Sequence, residues 1–203
     1  MNGNSMKKIA YANAVADDKV RRFVPPVRVV RESAGVSDSA ALLDGVHTQS
    51  FVHFNPRECV LPPGGEIILD FGLELHGLLT VTTGCMKLSR ARITFGESVS
   101  ETLGTPTQDH AIHQELLSLP QLGQVNFGQT AFRFVRLEIP ADAPEVRLIG
   151  VVATAIYRDW EYRGTFLSDD ERLNRIWEVG AYTVHLNCQD YIYDGVKRDR
   201  LVW

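Results

Sequence analysis

The chain is poor in the features that mark several common classes of protein. Its three cysteines, Cys59, Cys85 and Cys188, are widely spaced and form no Cys-x-x-Cys pair, so we expect reduced thiols rather than a disulfide framework or a zinc site. No apolar run approaches the roughly 20 residues that a membrane-spanning helix needs. A formal charge of −4 over 203 residues argues against binding to nucleic acid or to an anionic membrane surface.

The N-terminus lacks the continuous apolar segment of a secretory signal. Residues 1–20 instead mix lysine and aspartate with small side chains. We therefore expect a cytoplasmic protein, or a periplasmic one if the N-terminus is processed. No metal or cofactor is expected either, because His110 and His113, three residues apart near Asp109, have no third ligand close in sequence.

The part of the chain that follows residue 50 has the pattern of an all-β domain. Short apolar runs alternate there with glycine and proline. The predicted strands are residues 66–71, 78–82, 90–95, 132–139 and 146–156, after an earlier extended run at 27–30. Strands at this spacing, with no helix before residue 168, predict a mainly β fold, a β-sandwich of the jelly-roll type.

Finer details of the strands also follow from the pattern. Gly72 and Gly77 predict a short loop between two strands. Alternation in residues 90–95 directs Phe95 into the core and Thr94 to the wet face, and a bulge is predicted near Val135. The polar, aperiodic residues 97–114 predict a long loop, and long loops often carry binding surfaces.

The hydrophobic period changes at Ser168. Ser168 and Glu171 have the spacing of a capping box, which predicts the start of an amphipathic helix. Its apolar stripe covers about five turns: Leu173, Ile176, Trp177, Gly180, Ala181 and Val184. The stripe needs a partner, either the sandwich or helices absent from this chain. We favour absent helices, and an unpaired stripe also predicts that the chain forms homo-oligomers through this helix.

The last ten residues combine three cations, two carboxylates and an indole: Asp194-Gly195-Val196-Lys197-Arg198-Asp199-Arg200-Leu201-Val202-Trp203. By itself, such a run is most often a solvated charged surface. A polar cluster of mixed sign that follows a strong helix is also typical of the edge of an active site.

Several of these segments together resemble a known family. The helix start, the Cys188-Gln189-Asp190 phrase and the terminal motif resemble bacterial α-L-rhamnosidases of glycoside hydrolase family 78. So do three sandwich phrases: Leu69-Asp70-Phe71-Gly72 with Gly77, Phe95-Gly96-Glu97, and Phe132-Arg133-Phe134-Val135-Arg136. The resemblance implies a sandwich followed by an (α/α)6 barrel. The domains would be an N-terminal arm over 1–50, the sandwich over 51–165 and the truncated start of the six-hairpin barrel over 166–203.

The resemblance also implies roles for four residues. Asp194 and Arg198 match residues that hold sugar hydroxyls, Asp199 matches the general acid, and Trp203 matches an aromatic wall. Two features depart from the family: glutamate is common at the position of Asp199, and Cys-Pro-Gln is common at residues 195–197. The implied activity is hydrolysis of terminal α-L-rhamnosides with inversion. The family's catalytic base lies downstream, so this chain alone is expected to be inactive.

Two other functions stay open at this point. One is a non-catalytic carbohydrate-binding β-sandwich, and the other is a structural module whose terminal helix docks on another chain. Trp160, Tyr162 and Phe166 either stack on a sugar ring or pack between domains, and we favour packing. The expected ligand is a rhamnose-containing oligosaccharide or glycoside.

Overall fold

The computed structural model describes residues 18–45, 57–109 and 111–198. Asp199, Trp203 and His110 lie outside these ranges. Within them, the strands are β1 Lys19–Val24, β2 Arg28–Glu32, β3 Cys59–Leu61, β4 Glu66–Thr83, β5 Ser89–Gly96, β6 His113–Leu119, β7 Gln124–Glu138 and β8 Val146–Arg158. The helices are a 3₁₀ turn at Ser39–Asp44, α1 Val99–Thr102 and α2 Glu171–Asn187.

The strands form one antiparallel sheet with the order β1-β8-β4-β7-β5-β6, with β2 added beside β4 and β3 beside β8. The first part of β4 lies between β2 and β7, and its second part lies between β8 and β7. The last residues of β7 pair with β5. Because β4 and β7 serve both halves of the sheet, the two halves share one core, and the predicted mainly β sandwich is confirmed.

One hydrophobic core takes side chains from both halves of the sheet. Ile67 and Leu69 of β4, together with Leu79 and Val81 further along the same strand, are fully buried in it. The ring of Phe95 packs against those of Phe132 and Phe127, with centroids 4.7 and 5.4 Å apart. All three cysteines are free and buried.

The prediction that Phe95 faces the core is confirmed, but the prediction that Thr94 lies on a wet face is wrong. Thr94 is only 1% exposed. Strand β5 has a neighbour on each side, and Gln114 from β6 donates a hydrogen bond of 2.9 Å to the Thr94 hydroxyl. The opposite face of this strand is therefore covered by polar side chains.

The predicted loop between Gly72 and Gly77 is instead a bulge inside the single long strand β4. Its pairing with β7 jumps from Asp70 opposite Phe134 to Leu75 opposite Phe132. Four residues of β4, 71–74, therefore lie opposite the single residue Arg133 of β7. In β7 the pairing jumps from Thr130 opposite Gly77 to Phe127 opposite Leu79, so the extra residue of this strand lies at 128–129 and not near Val135 as predicted. The Asp70 carboxylate holds the bulge by accepting a 2.8 Å hydrogen bond from the amide of Gly72, which has a φ of 86°.

Helix α2 begins at Glu171 with Asp170 as its N-cap, so the predicted capping box of Ser168 and Glu171 is wrong. The Asp170 carboxylate accepts a 2.9 Å hydrogen bond from the amide of Arg172. The Asn174 side chain contacts both backbone groups of Ser168, at 2.8 and 2.9 Å. This contact holds Ser168 two residues outside the helix.

The apolar stripe of α2 is mostly uncovered. Leu173, Ile176 and Val184 are 46%, 66% and 62% exposed. Among the described residues, only the end of the helix packs on the sandwich, where Leu186 and the half-buried Tyr182 contact Ala131 of β7. Since the exposed part of the stripe has no partner among the described residues, the formation of homo-oligomers through α2 stays a prediction. No helix in the described ranges is long and apolar enough to cross a membrane.

Candidate functional site

A polar cleft of about 640 Å³ lies where the end of α2 meets the sandwich. One wall comes from the β4 bulge, the turn after β5 and helix α1. The other comes from the end of α2 and the segment that follows it. Five carboxylates and two cations line the cleft: Glu74, Glu97, Glu101, Asp109, Asp194, Lys197 and Arg198. This excess of carboxylates favours protonation of acidic groups and retention of cations.

Helix α1 brings two of these carboxylates together. Ser98 is its N-cap and accepts a 3.2 Å hydrogen bond from the amide of Glu101, while the Glu101 carboxylate accepts one of 2.7 Å from the amide of Glu97. The predicted loop over residues 97–114 therefore starts with an ordered turn. The Ser98-x-x-Glu101 spacing is the sequence signal that would have predicted it.

The segment after α2 folds back onto the sandwich through Gln189, which is 3% exposed. Its side-chain amide donates to the carbonyls of Leu186 and Ile156, at 2.9 and 3.3 Å. Its own carbonyl accepts two bonds from the Arg158 guanidinium, at 2.9 and 2.7 Å. Val196, 5% exposed, then packs near the end of the helix. The residues between these anchors are thereby directed toward the cleft.

Lys197 is the buried cation of the cleft. Its side chain is 3% exposed, and its ammonium group donates a hydrogen bond to the Glu101 carboxylate, which is 18% exposed. Burial lowers the pKa of Lys197, although the negative charges of Glu97 and Glu74 oppose that shift. An ion pair thus joins the sandwich to the segment after α2.

Glu74 is a carboxyl group of the cleft whose pKa is raised. Burial, the neighbouring charge of Glu97 and a hydrogen bond with Glu97 raise the pKa of Glu74 to about 7, against the opposing effect of Lys197. A carboxyl group with such a pKa can donate or accept a proton near neutral pH. Sequence analysis missed Glu74, because only the bulge at residues 71–74 places it here.

The structure places two of the four predicted site residues. Asp194 and Arg198 both line the cleft. Asp199 and Trp203 lie outside the described residues, so their roles stay predictions. Residues that sequence analysis did not connect to the site are Glu74, Glu101 and Gln189. Their contacts bridge long sequence separations, 96 residues in the case of Glu101 and Lys197.

A second, largely apolar cavity of about 640 Å³ lies at the same junction and shares Glu74 with the polar cleft. The Trp160 ring stacks on His185 with centroids 6.0 Å apart, and a hydrogen bond of 2.8 Å joins the Tyr162 hydroxyl to His185 Nδ1. The other ring nitrogen of His185 donates to the carbonyl of Arg158. Trp160 and Tyr162 therefore pack between sandwich and helix, yet each remains about half exposed.

Tyr182 lines the apolar cavity and contacts Glu74, which lines both cavities. Its hydroxyl donates a hydrogen bond to the backbone carbonyl of Glu74, so the helix contacts the bulge directly. Burial and the charge of Glu74 raise the pKa of Tyr182 to about 12, which keeps this donor protonated. A specific hydrogen bond therefore joins the helix to the sandwich at this junction.

The structure thus combines a β-sandwich and a helix, with an acidic cleft between them. Solved structures that are similar to this chain include rhamnosidases. The rhamnosidase from Klebsiella oxytoca with rhamnose bound is 25% identical, with a TM-score of 0.69 over 91% of this chain and 38% of that enzyme. This chain is thus rhamnosidase-like, and the predicted resemblance to glycoside hydrolase family 78 is confirmed.

Two more distant enzymes share the fold. The family 78 rhamnosidase of Bacillus sp. GL1 is 18% identical, with a TM-score of 0.60 over 81% of this chain and 17% of that chain. The α-L-rhamnosidase from Aspergillus terreus is 22% identical, with a TM-score of 0.51 over 71% of this chain and 18% of that chain. This chain spans well under half the length of each. No protein-family model and no curated protein match the sequence.

Proposed function

We propose that this chain is part of an α-L-rhamnosidase-like glycoside hydrolase that cleaves terminal α-L-rhamnosides with inversion. The observation that carries the proposal is the cleft, which unites Asp194 and Arg198 with carboxylates of the sandwich. The likeness to the Klebsiella oxytoca rhamnosidase over 91% of the chain supports the sugar class.

In this proposal, Asp194 and Arg198 hold sugar hydroxyls, Asp199 donates the proton to the leaving oxygen, and Trp203 forms an aromatic wall. A proton donor must keep its proton near neutral pH, whereas the flanking Arg198 and Arg200 favour its ionised form. We propose that the carboxylates of the acidic cleft offset those arginines. The raised pKa of Glu74 is an example of that effect within the same cleft.

Inversion needs a second carboxylate, roughly 6.5–9.5 Å from the acid, to activate water. We propose that this base belongs to sequence beyond Trp203, in a helical domain that covers the exposed stripe of α2. The exposure of Leu173 and Ile176 supports that packing. The 203-residue chain alone would then bind substrate incompletely and release no sugar.

The test compares three proteins on 4-nitrophenyl α-L-rhamnopyranoside: the product of the whole source gene, its Asp199→Asn variant and its Asp169→Asn variant. Loss of general-acid catalysis is expected to lower kcat by about 10²- to 10⁴-fold in the first variant. The second variant changes an exposed aspartate before α2 and should retain activity. Equal activity of the two variants would remove Asp199 from the mechanism.

The apolar cavity favours a second candidate function, a non-catalytic carbohydrate-binding module. Its half-exposed Trp160 offers a face on which a sugar ring stacks. If this alternative holds, the 203-residue chain should bind L-rhamnose in titration calorimetry, and Trp160→Ala should abolish binding while the exposed control Tyr191→Ala does not. Absence of binding by the wild-type chain would exclude the alternative.

A further inference from the structure

We propose that Lys197 and the glutamates around it form an ionic clamp through which the sandwich positions residues 194–198. In this clamp Glu101 is the main positioning residue. The inference rests on the proposed function only in assigning substrate contacts to Asp194 and Arg198. The clamp itself is a property of the 203-residue chain.

Lys197 is a buried cation that needs an anionic partner. The Lys197 side chain is 3% exposed, so its ammonium group loses hydration, and that loss is offset only when an anion accepts its hydrogen bonds. The Glu101 carboxylate does so, and Glu101 is held in place because it also accepts from the amide of Glu97. Removing the charge of Glu101 would leave a buried cation with a weakened partner.

Three residues attach the segment after α2 to the rest of the protein, one after another along the chain. Gln189 and Val196 attach the segment to β8 and to the end of the helix, and Lys197 follows immediately. Lys197 is thus the anchor next to Arg198, the last residue that the structure describes. The ion pair with Glu101 therefore fixes the position from which the chain continues toward Asp199.

The test is amide hydrogen exchange of the 203-residue chain, measured by mass spectrometry on peptides that cover residues 188–198. Glu101→Gln should speed exchange in this segment by about tenfold, because local opening no longer breaks a full ion pair. Peptides from β8 should keep their protection. The matched control Glu178→Gln, which weakens an exposed ion pair with Arg175, should leave residues 188–198 unchanged.

A further comparison keeps the clamp distinct from general destabilisation. In a Lys197→Met background, Glu101→Gln should add no further exchange, because the pair is already broken. An equal effect of Glu101→Gln with and without Lys197 would overturn the clamp. This result does not depend on whether the protein hydrolyses rhamnosides.

Discussion

Gly77→Ala is expected to leave the chain largely unfolded. Gly77 pairs with Ala155 at the point where β4 leaves its bulge and joins β8. A Cβ atom at this position would lie 1.9 Å from the carbonyl oxygen and 2.8 Å from the carbonyl carbon of Thr154. Both are backbone atoms, so relief requires β8 to move away from β4. We expect a loss of more than about 4 kcal/mol, most of the stability of an ordinary domain.

Gly180→Ala is the matched control, because a Cβ there meets no atom within 4 Å. Replacing glycine inside a helix should raise the free energy of unfolding by about 0.5–1 kcal/mol. Urea unfolding followed by far-UV circular dichroism measures both variants. A cooperative transition for Gly77→Ala within about 1 kcal/mol of wild type would show that the two strands separate more easily than their register implies.

Asp70→Ala is expected to have the second largest effect, a loss of about 3–5 kcal/mol. The Asp70 side chain is 2% exposed and accepts two hydrogen bonds from Arg133, at 2.9 and 3.0 Å, and one of 2.8 Å from Arg28. A fourth bond, from the amide of Gly72, holds the bulge that presents Glu74 to the cleft. The substitution therefore removes both an ion-pair network and the support of the site.

The control for this variant is Asp142→Ala. Asp142 is 78% exposed and makes a single ion pair with Arg90, so its removal should cost less than about 1 kcal/mol. Chemical unfolding of both variants at pH 7 gives the comparison. Similar losses at the two positions would contradict the assigned role of the Asp70 network.

The ion pairs of Asp70 also predict how the free energy of unfolding depends on pH. Burial alone would raise the pKa of Asp70, but the bonds from Arg133, Gly72 and Arg28 outweigh it and lower that pKa to about 2. The stabilisation is fully present above about pH 4 and is lost as pH falls through 2, about 2 kcal/mol in all. In Asp70→Asn this part of the acid sensitivity should be absent.

The strands were predictable because alternation is a local property of the sequence. Ile93 and Phe95 face the core as their period requires, and the long β-branched run forms β8. Glycine was ambiguous, since Gly72 suits a loop and a bulge equally well. Only the bond from its amide to Asp70 decides between them. The same ambiguity affected the helix start, where Asn174 displaces Ser168 from the cap.

The cleft was predictable only in part. The terminal motif pointed to Asp194 and Arg198 because those residues resemble a family motif. Glu74 and Glu101 belong to distant strands and turns, and their approach to Lys197 depends on how α2 packs against the sandwich. No periodicity or spacing encodes that approach, so only the folded chain shows it.

The central claim is that this chain is part of an inverting rhamnosidase. Its most direct test is proton NMR of the product of the whole source gene acting on an α-L-rhamnoside, with the anomeric signals followed from the first turnover. The account predicts release of rhamnose that appears first as the β-anomer. Initial release of the α-anomer would contradict inversion, and the absence of any released rhamnose would contradict the hydrolase assignment.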